Sequence, residues 1–163
     1  MSYVFDSSSL IYLGKLRVLE KVGKLEGKKF IPRNVYKEVV TKGFERKEPE
    51  ARYIETLIKS KIFTVKEAAF ENIPFLSAAD SEVLALAKAA KSIAIIDETY
   101  AKRIAKSYGI KCHGTIYIFL KLMENKLITK KDVINYIDKM VRLGFYLSAE
   151  NYRDILAMIE RHI

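Results

Sequence analysis

Cysteine is nearly absent from this chain of 163 residues: Cys112 is the only one, so neither an internal disulfide nor a multi-cysteine zinc site can form. That usage fits a reducing cytosol best. Histidine is almost as scarce, and His113 and His162 lie away from every acidic motif, leaving oxygen as the ligand type on offer. Long apolar runs are missing too. No stretch approaches the length of a membrane span, and the start, MSYVFDSSS, lacks a basic region followed by an apolar run. The expectation is a soluble, cytoplasmic protein. The chain has no P-loop, no GxSxG elbow, no internal repeat and no low-complexity tract.

What is present bounds the rest. Half of the residues are hydrophobic, enough for one domain over 1–163 with a real core, in which 127–163 reads as a helical extension packed on that core. The formal charge of +9 favours a polyanionic partner such as nucleic acid. A thermophilic protein rich in Lys and Glu shows the same bias without one.

The stretch Ser77 to Cys112 organises the chain. Val83, Leu84, Leu86 and Ala87 fall on one side of a helix, and Ser77 with Asp80 three residues on reads as its cap. Ile93-Ala94-Ile95-Ile96 is too short and uniformly apolar for a surface strand, so it belongs inside a parallel sheet covered on both faces. Asp97 stands where that strand emerges, and ligands of open parallel sheets bind outside the carboxyl ends of strands. Tyr3-Val4-Phe5 followed by Asp6 repeats the pattern.

Other elements follow from local signals. Leu10, Ile11, Leu13 and Leu16 predict a short helix turning at Gly14, with the hydroxyls of Ser7 to Ser9 satisfying its first N–H groups. Phe30-Ile31-Pro32 reads as an edge-like strand because Pro ends its ladder, and Asn34 as the cap of a helix carrying Glu38 and ending near Gly43. The charged segment from Phe44 to Glu50 reads as a mobile loop or corner, followed by a helix to Ser60; Phe63-Thr64-Val65 is a strand, and 67–76 is loop. A helix closed by Gly109, a strand at Ile110-Lys111-Cys112, a helix from Thr115, and two helices over Lys130–Leu143 and Ala149–Ile163, separated by Gly144 and capped by Thr129 and Ser148, complete the chain.

Four acids therefore occupy comparable places: Asp6 and Asp97 after strands, Glu38 on a helix and Asp80 at a helix start, with Glu82 close by. Each alone is weak evidence, since an Asp between a strand and a helix is more often just a cap and an acid on a helix is more often solvated. One parallel sheet with right-handed crossovers would bring Asp6 and Asp97 out at the same edge. Two carboxylates about 4 Å apart repel by roughly 4 kcal/mol at an effective dielectric near 20, so a cation must offset them, unless they share protons or lie apart. Carboxylate and water ligands suit Mg²⁺ or Mn²⁺, which activate water and stabilise a leaving oxygen in phosphodiester hydrolysis. Basic residues outnumber acidic ones after the third motif, and Lys102, Arg103 and Lys106 follow Asp97 on one helix, where they can hold phosphates. Arg46 and Lys47 offer a second basic flank.

The stretches VFDSSSLIYL, VYKEVV, ADSEVLALA and IIDETYAKRIAKSYGIK resemble the four acidic motifs of PIN-domain nucleases, and the resemblance spans the chain. The tail RLGFYLSAENYRDIL is similar to the end of an uncharacterised prokaryotic PIN subfamily related to the VapC toxins of toxin–antitoxin pairs. The resemblance implies a three-layer α/β/α sandwich with a central parallel sheet, and Mg²⁺- or Mn²⁺-dependent cleavage of RNA. It carries the metal-binding and water-activating roles onto Asp6, Glu38, Asp80 and Asp97, with Glu82 a second candidate in the third motif and Glu98 in the fourth. Ser8 falls where the family often has a small supporting side chain. It further implies a homodimer and a small antitoxin partner that blocks the acidic cleft. Two departures stand out: ADSEV replaces a Gly-acid-x-acid-Ala pattern, leaving open whether Asp80 or Glu82 faces the metal, and Glu98 replaces a common second Asp. The alternatives are a PIN-like module that binds RNA or protein without cutting, and a phosphatase of the haloacid-dehalogenase kind. The latter needs a second Asp where Ser8 stands.

Overall fold

A computed structural model describes residues 1–161 of the chain. The described residues form two compact units, Met1–Thr115 and the part from Ile116 onward; His162 and the end of the last expected helix lie outside the described residues. The first unit is built on five strands: β1 (Tyr3–Phe5), β2 (Lys29–Pro32), β3 (Thr64–Lys66), β4 (Ile93–Ile95) and β5 (Cys112–His113). They lie in the order β3-β2-β1-β4-β5, and every pairing is parallel.

Helices α1 (Ser7–Lys15) and α2 (Leu19–Gly23) connect β1 to β2. From β2 to β3 the chain runs through α3 (Arg33–Tyr36), a π-helical turn (Lys37–Thr41), α4 (Lys42–Glu45) and α5 (Pro49–Lys59). Helix α6 (Ala78–Ala89) leads into β4, and α7 (Thr99–Ser107) into β5. Right-handed crossovers put the helices before β3 on one face and α6 and α7 on the other, which gives the three-layer α/β architecture. The central strands read as unbroken apolar runs because both faces are covered: Val4, Phe5, Ile31, Ala94 and Ile95 are fully buried.

Connections from β1 move one way across the sheet and the return from β3 passes to β4 on its other side. The reversal therefore falls between β1 and β4. At such a switch point the loops leave the carboxyl ends of neighbouring strands in opposite directions and open a crevice. The register pairs Phe5 with Ile95, and the N–H of Asp6 donates to the Ile95 carbonyl at 3.1 Å.

Several local expectations are corrected by tertiary contacts. β2 is interior, not an edge; Pro32 is tolerated because it is the strand's last residue. Helix α1 does not turn at Gly14 but runs through it, since a side chain there would meet Glu50 Cβ at 3.0 Å and the bare backbone lets α5 approach. Its cap is Asp6, which accepts the Ser9 N–H at 2.8 Å, and not the serine hydroxyls. Pro32, not Asn34, stands at the entry to α3, and that helical path continues past Gly43 to Glu45. The expected loop at 44–50 is mostly helical: only Arg46, Lys47 and Glu48 separate α4 from α5, with Lys47 at φ 59°. Glu50, read as part of a solvated corner, is buried and ion-paired to Lys15 at 2.6 Å.

Helix α8 (Thr115–Glu124) starts on the last residue of the first unit, and α9 (Lys130–Arg142) and α10 (Ala149–Arg161) follow in the second. Thr129 and Asp132 form a reciprocal capping box at the start of α9. Phe119 stacks on Tyr136 with ring centroids 5.4 Å apart.

Candidate functional site

Five acids near the carboxyl ends of β1 and β4 are linked by their charges, each held by a different local device. Asp6 is placed by its own capping bond at the start of α1 and is only 4% exposed. Burial pushes its carboxyl from an ordinary 3.8 up to about 7, against the pull of the Ser9 hydrogen bonds and with the help of the Asp97 and Asp80 charges. Asp97, just past β4, is fixed by Thr115, which donates its N–H to Oδ1 at 2.8 Å and its hydroxyl to Oδ2 at 2.7 Å. Asp80 sits in the first turn of α6, where its N–H donates to the Ser77 hydroxyl oxygen at 3.0 Å. Its carboxyl is also held above the usual range, first by burial and then by the Glu38 and Glu98 charges.

Glu38 lies in the π-helical turn, and the Ser7 hydroxyl donates to its Oε2. Such turns recur where a helix must aim a side chain out of the ordinary repeat. Glu98 caps α7, accepting the N–H groups of Tyr100 at 2.9 Å and Ala101 at 2.7 Å. The electrostatic links thus run Asp97–Asp6–Asp80 and on from Asp80 to Glu38 and Glu98.

Glu82 is placed differently. Buried on α6, it accepts from Asn34 through Oε1, from the backbone N–H at 2.8 Å and the side-chain amide at 3.2 Å. It satisfies the start of α3. Ser8 is exposed on α1, and the hydroxyl that meets an acid is that of its neighbour Ser7.

The basic candidates divide. A Cβ at Gly114 would fall 2.6 Å from Asp97 Oδ1 and 3.1 Å from Lys102 Nζ, so both groups crowd the same glycine. Arg103 lies 5.9 Å from the Tyr100 ring centroid. Lys106 is exposed later on α7, and Arg46 and Lys47 are exposed in the turn between α4 and α5. His113 is exposed in β5. Burial pushes the Cys112 thiol up to about 11, which keeps it neutral beside the Asp6 and Asp97 charges.

Among the described residues, none of the five acids is ion-paired to a lysine or arginine. Nor do any three acidic, histidine or cysteine side chains stand close enough to hold one ion together. The donors are nevertheless all oxygen, the ligand type that suits a hard divalent cation, and burial holds Asp6 and Asp80 above the usual carboxylate range. Sequence patterns could find the acids but not Ser7 or Thr115 as their partners, because these bond acids 31 and 18 residues away along the chain.

Comparison with known proteins bears on the family and the fold. The family model described as DUF3368: PIN domain matches residues 2–161. Among solved structures, a PilT N-terminus domain protein from the archaeon Sulfolobus solfataricus P2 superposes with a TM-score of 0.56 at 16% identity, over 76% of this chain and 95% of that one. A domain of a functionally unknown protein from Methanocaldococcus jannaschii DSM 2661 gives a TM-score of 0.49 at 17% identity, over 69% of this chain and 89% of that one. No curated protein matches by sequence.

Proposed function

The chain belongs to the PIN-domain family, and from that premise we propose that it is a Mg²⁺- or Mn²⁺-dependent endoribonuclease. PIN domains are generally nucleases that use divalent metal ions. The observation that carries the reading is the parallel β1–β4 pairing, which brings the chain out at Asp6 and, one residue further along the neighbouring strand, at Asp97, with the Asp97 and Asp80 charges bearing on Asp6.

Asp6, Asp80 and Asp97 would hold the metal, with Glu38 and Glu98 outside them. When bound, the ion would lower the pKa of a water and stabilise charge on the scissile phosphate. The chain's own residues do the rest. Thr115 fixes both oxygens of Asp97, so its orientation is set before substrate arrives. Ser7 fixes Glu38, a candidate to receive the proton from the attacking water. Lys102 stands beside Asp97 at Gly114, where an ammonium can neutralise a phosphate oxygen. Hydrolysis breaks one P–O bond, and the departing oxygen takes a proton from solvent.

A toxin of the VapBC kind, with a homodimer and a small antitoxin, is the cellular role that the sequence resemblance favours; an RNA-processing nuclease is the other. A second reading, a PIN-like module that binds RNA or protein without cutting, is favoured by one observation: no three ligand side chains converge among the described residues.

Purified protein incubated with single-stranded RNA in Mn²⁺, in Mg²⁺ and in EDTA tests the proposal. Cleavage in either metal, lost in EDTA and in Asp97→Asn, is the expected result. Binding without metal-dependent cleavage, or cleavage unaffected by Asp97→Asn, would overturn it.

A further inference from the structure

Phe75 is 95% exposed, the highest value among the exposed large hydrophobic side chains, and it takes φ 69° in the left-handed region, which an aromatic residue rarely adopts. An apolar ring presented to water from such a backbone is costly twice over, in hydration and in conformation. Its surroundings are nonetheless well tied. Ile73 donates its N–H to the Ser81 hydroxyl at 3.0 Å, and the Tyr100 hydroxyl donates to the Pro74 carbonyl at 3.3 Å. The Phe75 ring stands edge to face with Tyr100, at 6.5 Å between centroids and 85° between planes. On the same tyrosine lies the Arg103 guanidinium.

This cluster borders the acids. Tyr100 is bonded through its N–H to Glu98, one of the charges that bears on Asp80, and Phe75 precedes by two residues the serine that caps the Asp80 helix. We propose that Phe75 and Tyr100 form a stacking platform for one unpaired base of an RNA strand entering the acidic crevice, with Arg103 on the flanking phosphate. The assignment rests on the RNA reading of that crevice. One exposed ring backed by one tyrosine matches the area of a single base, and is far below the roughly 800 Å² per partner that a stable protein interface needs. A cation beside the ring suits a nucleotide, whose base stacks while its phosphate is neutralised. In a duplex the base faces are already stacked on one another, so the platform selects single strands.

The test uses the full chain and a single-stranded RNA of about a dozen nucleotides carrying one 2-aminopurine, titrated in EDTA so that no turnover occurs. The wild type is expected to bind it and quench its fluorescence. Phe75→Ala weakens binding by about tenfold and abolishes the quenching, while Phe75→Tyr restores both. An abasic substitution at the probe position weakens the wild type by the same factor and leaves Phe75→Ala unchanged. Equal affinity of Phe75→Ala and wild type, a hairpin duplex bound as tightly as the single strand, or no RNA binding by the wild type would each overturn the platform. Phe75-dependent binding without cleavage in Mn²⁺ would sink the nuclease reading and leave the platform standing. Metal-dependent cleavage with KM indifferent to Phe75→Ala would do the reverse.

Discussion

Thr115 donates both its backbone N–H and its hydroxyl to Asp97, at 2.8 and 2.7 Å, and is itself fully buried. One residue thereby fixes both oxygens of an acid that follows the strand next to the sheet's centre. Replacing Thr115 by Val keeps the N–H and the volume but removes one of the two bonds. The expected outcome is a stability loss of about 1 to 2 kcal/mol, since the bond is to a carboxylate. The accompanying loss in kcat is about tenfold, with KM little changed, because a freed carboxylate is misplaced for chemistry more than for binding. Thr115→Ser, which keeps the hydroxyl, is expected to recover most of the rate.

Asp80 and Glu82 are expected to separate cleanly. Glu82→Gln keeps an oxygen for Asn34 and leaves folding and cleavage near wild type, whereas Glu82→Ala costs about 2 kcal/mol by stranding the Asn34 donors. Asp80→Asn is expected to abolish cleavage and to leave thermal stability equal or higher, since it removes a charge held against burial and like charges. Denaturation midpoints measured beside cleavage rates check both. A folded Glu82→Gln protein without activity would give the third-motif role to Glu82.

Gly114→Ala tests the crowding of Asp97 and Lys102. The new Cβ would fall 2.6 Å from Asp97 Oδ1, and that oxygen cannot swing away freely while Thr115 holds it. A loss of about 100-fold in kcat/KM is expected with the fold intact by circular dichroism. Unimpaired cleavage would show that Asp97 need not stand where the structure has it.

The buried Asp6 sets a pH dependence for the metal-free protein. Its folded pKa, about 7, lies above the ordinary 3.8, so between these values the unfolded chain has already released a proton that the folded one keeps. Stability is then fully present below about 3.8 and is lost as pH rises through about 7, by up to about 4 kcal/mol. In EDTA, Asp6→Asn is expected to match wild type near pH 4 and to be more stable above pH 7, with urea midpoints as the measurement. Mn²⁺ should close that gap by stabilising only the wild type. A wild-type midpoint flat across this range would refute the account.

The legible parts of the fold were those whose signal is local. The apolar runs at β1 and β4, the Ser77 cap of α6 and the Thr129 cap of α9 are each complete within a few residues, and the acids that follow the two strands came with them. The illegible parts depend on partners far along the chain. Asn34 has the composition of a cap, yet it enters the first turn of α3 because Glu82, on α6, captures its N–H. Glu50 sits in a charged run and is buried because Lys15 reaches it from α1. Pro32 marks a ladder's end, which is true of its position along β2 and says nothing of that strand's place across the sheet. Helix α2 has too few residues to display a period.

The position of β1 also sets a timetable. It lies at the middle of the sheet, pairing Tyr3 with Lys29 on one side and with Ile93 on the other. The first pairing can close early in synthesis, but the second must wait until β4 has left the ribosome, a loop closure of high contact order. Asp6 and Asp97 meet only through that second pairing. A nascent chain therefore carries Asp6 and Asp97 apart until most of the first unit has been made.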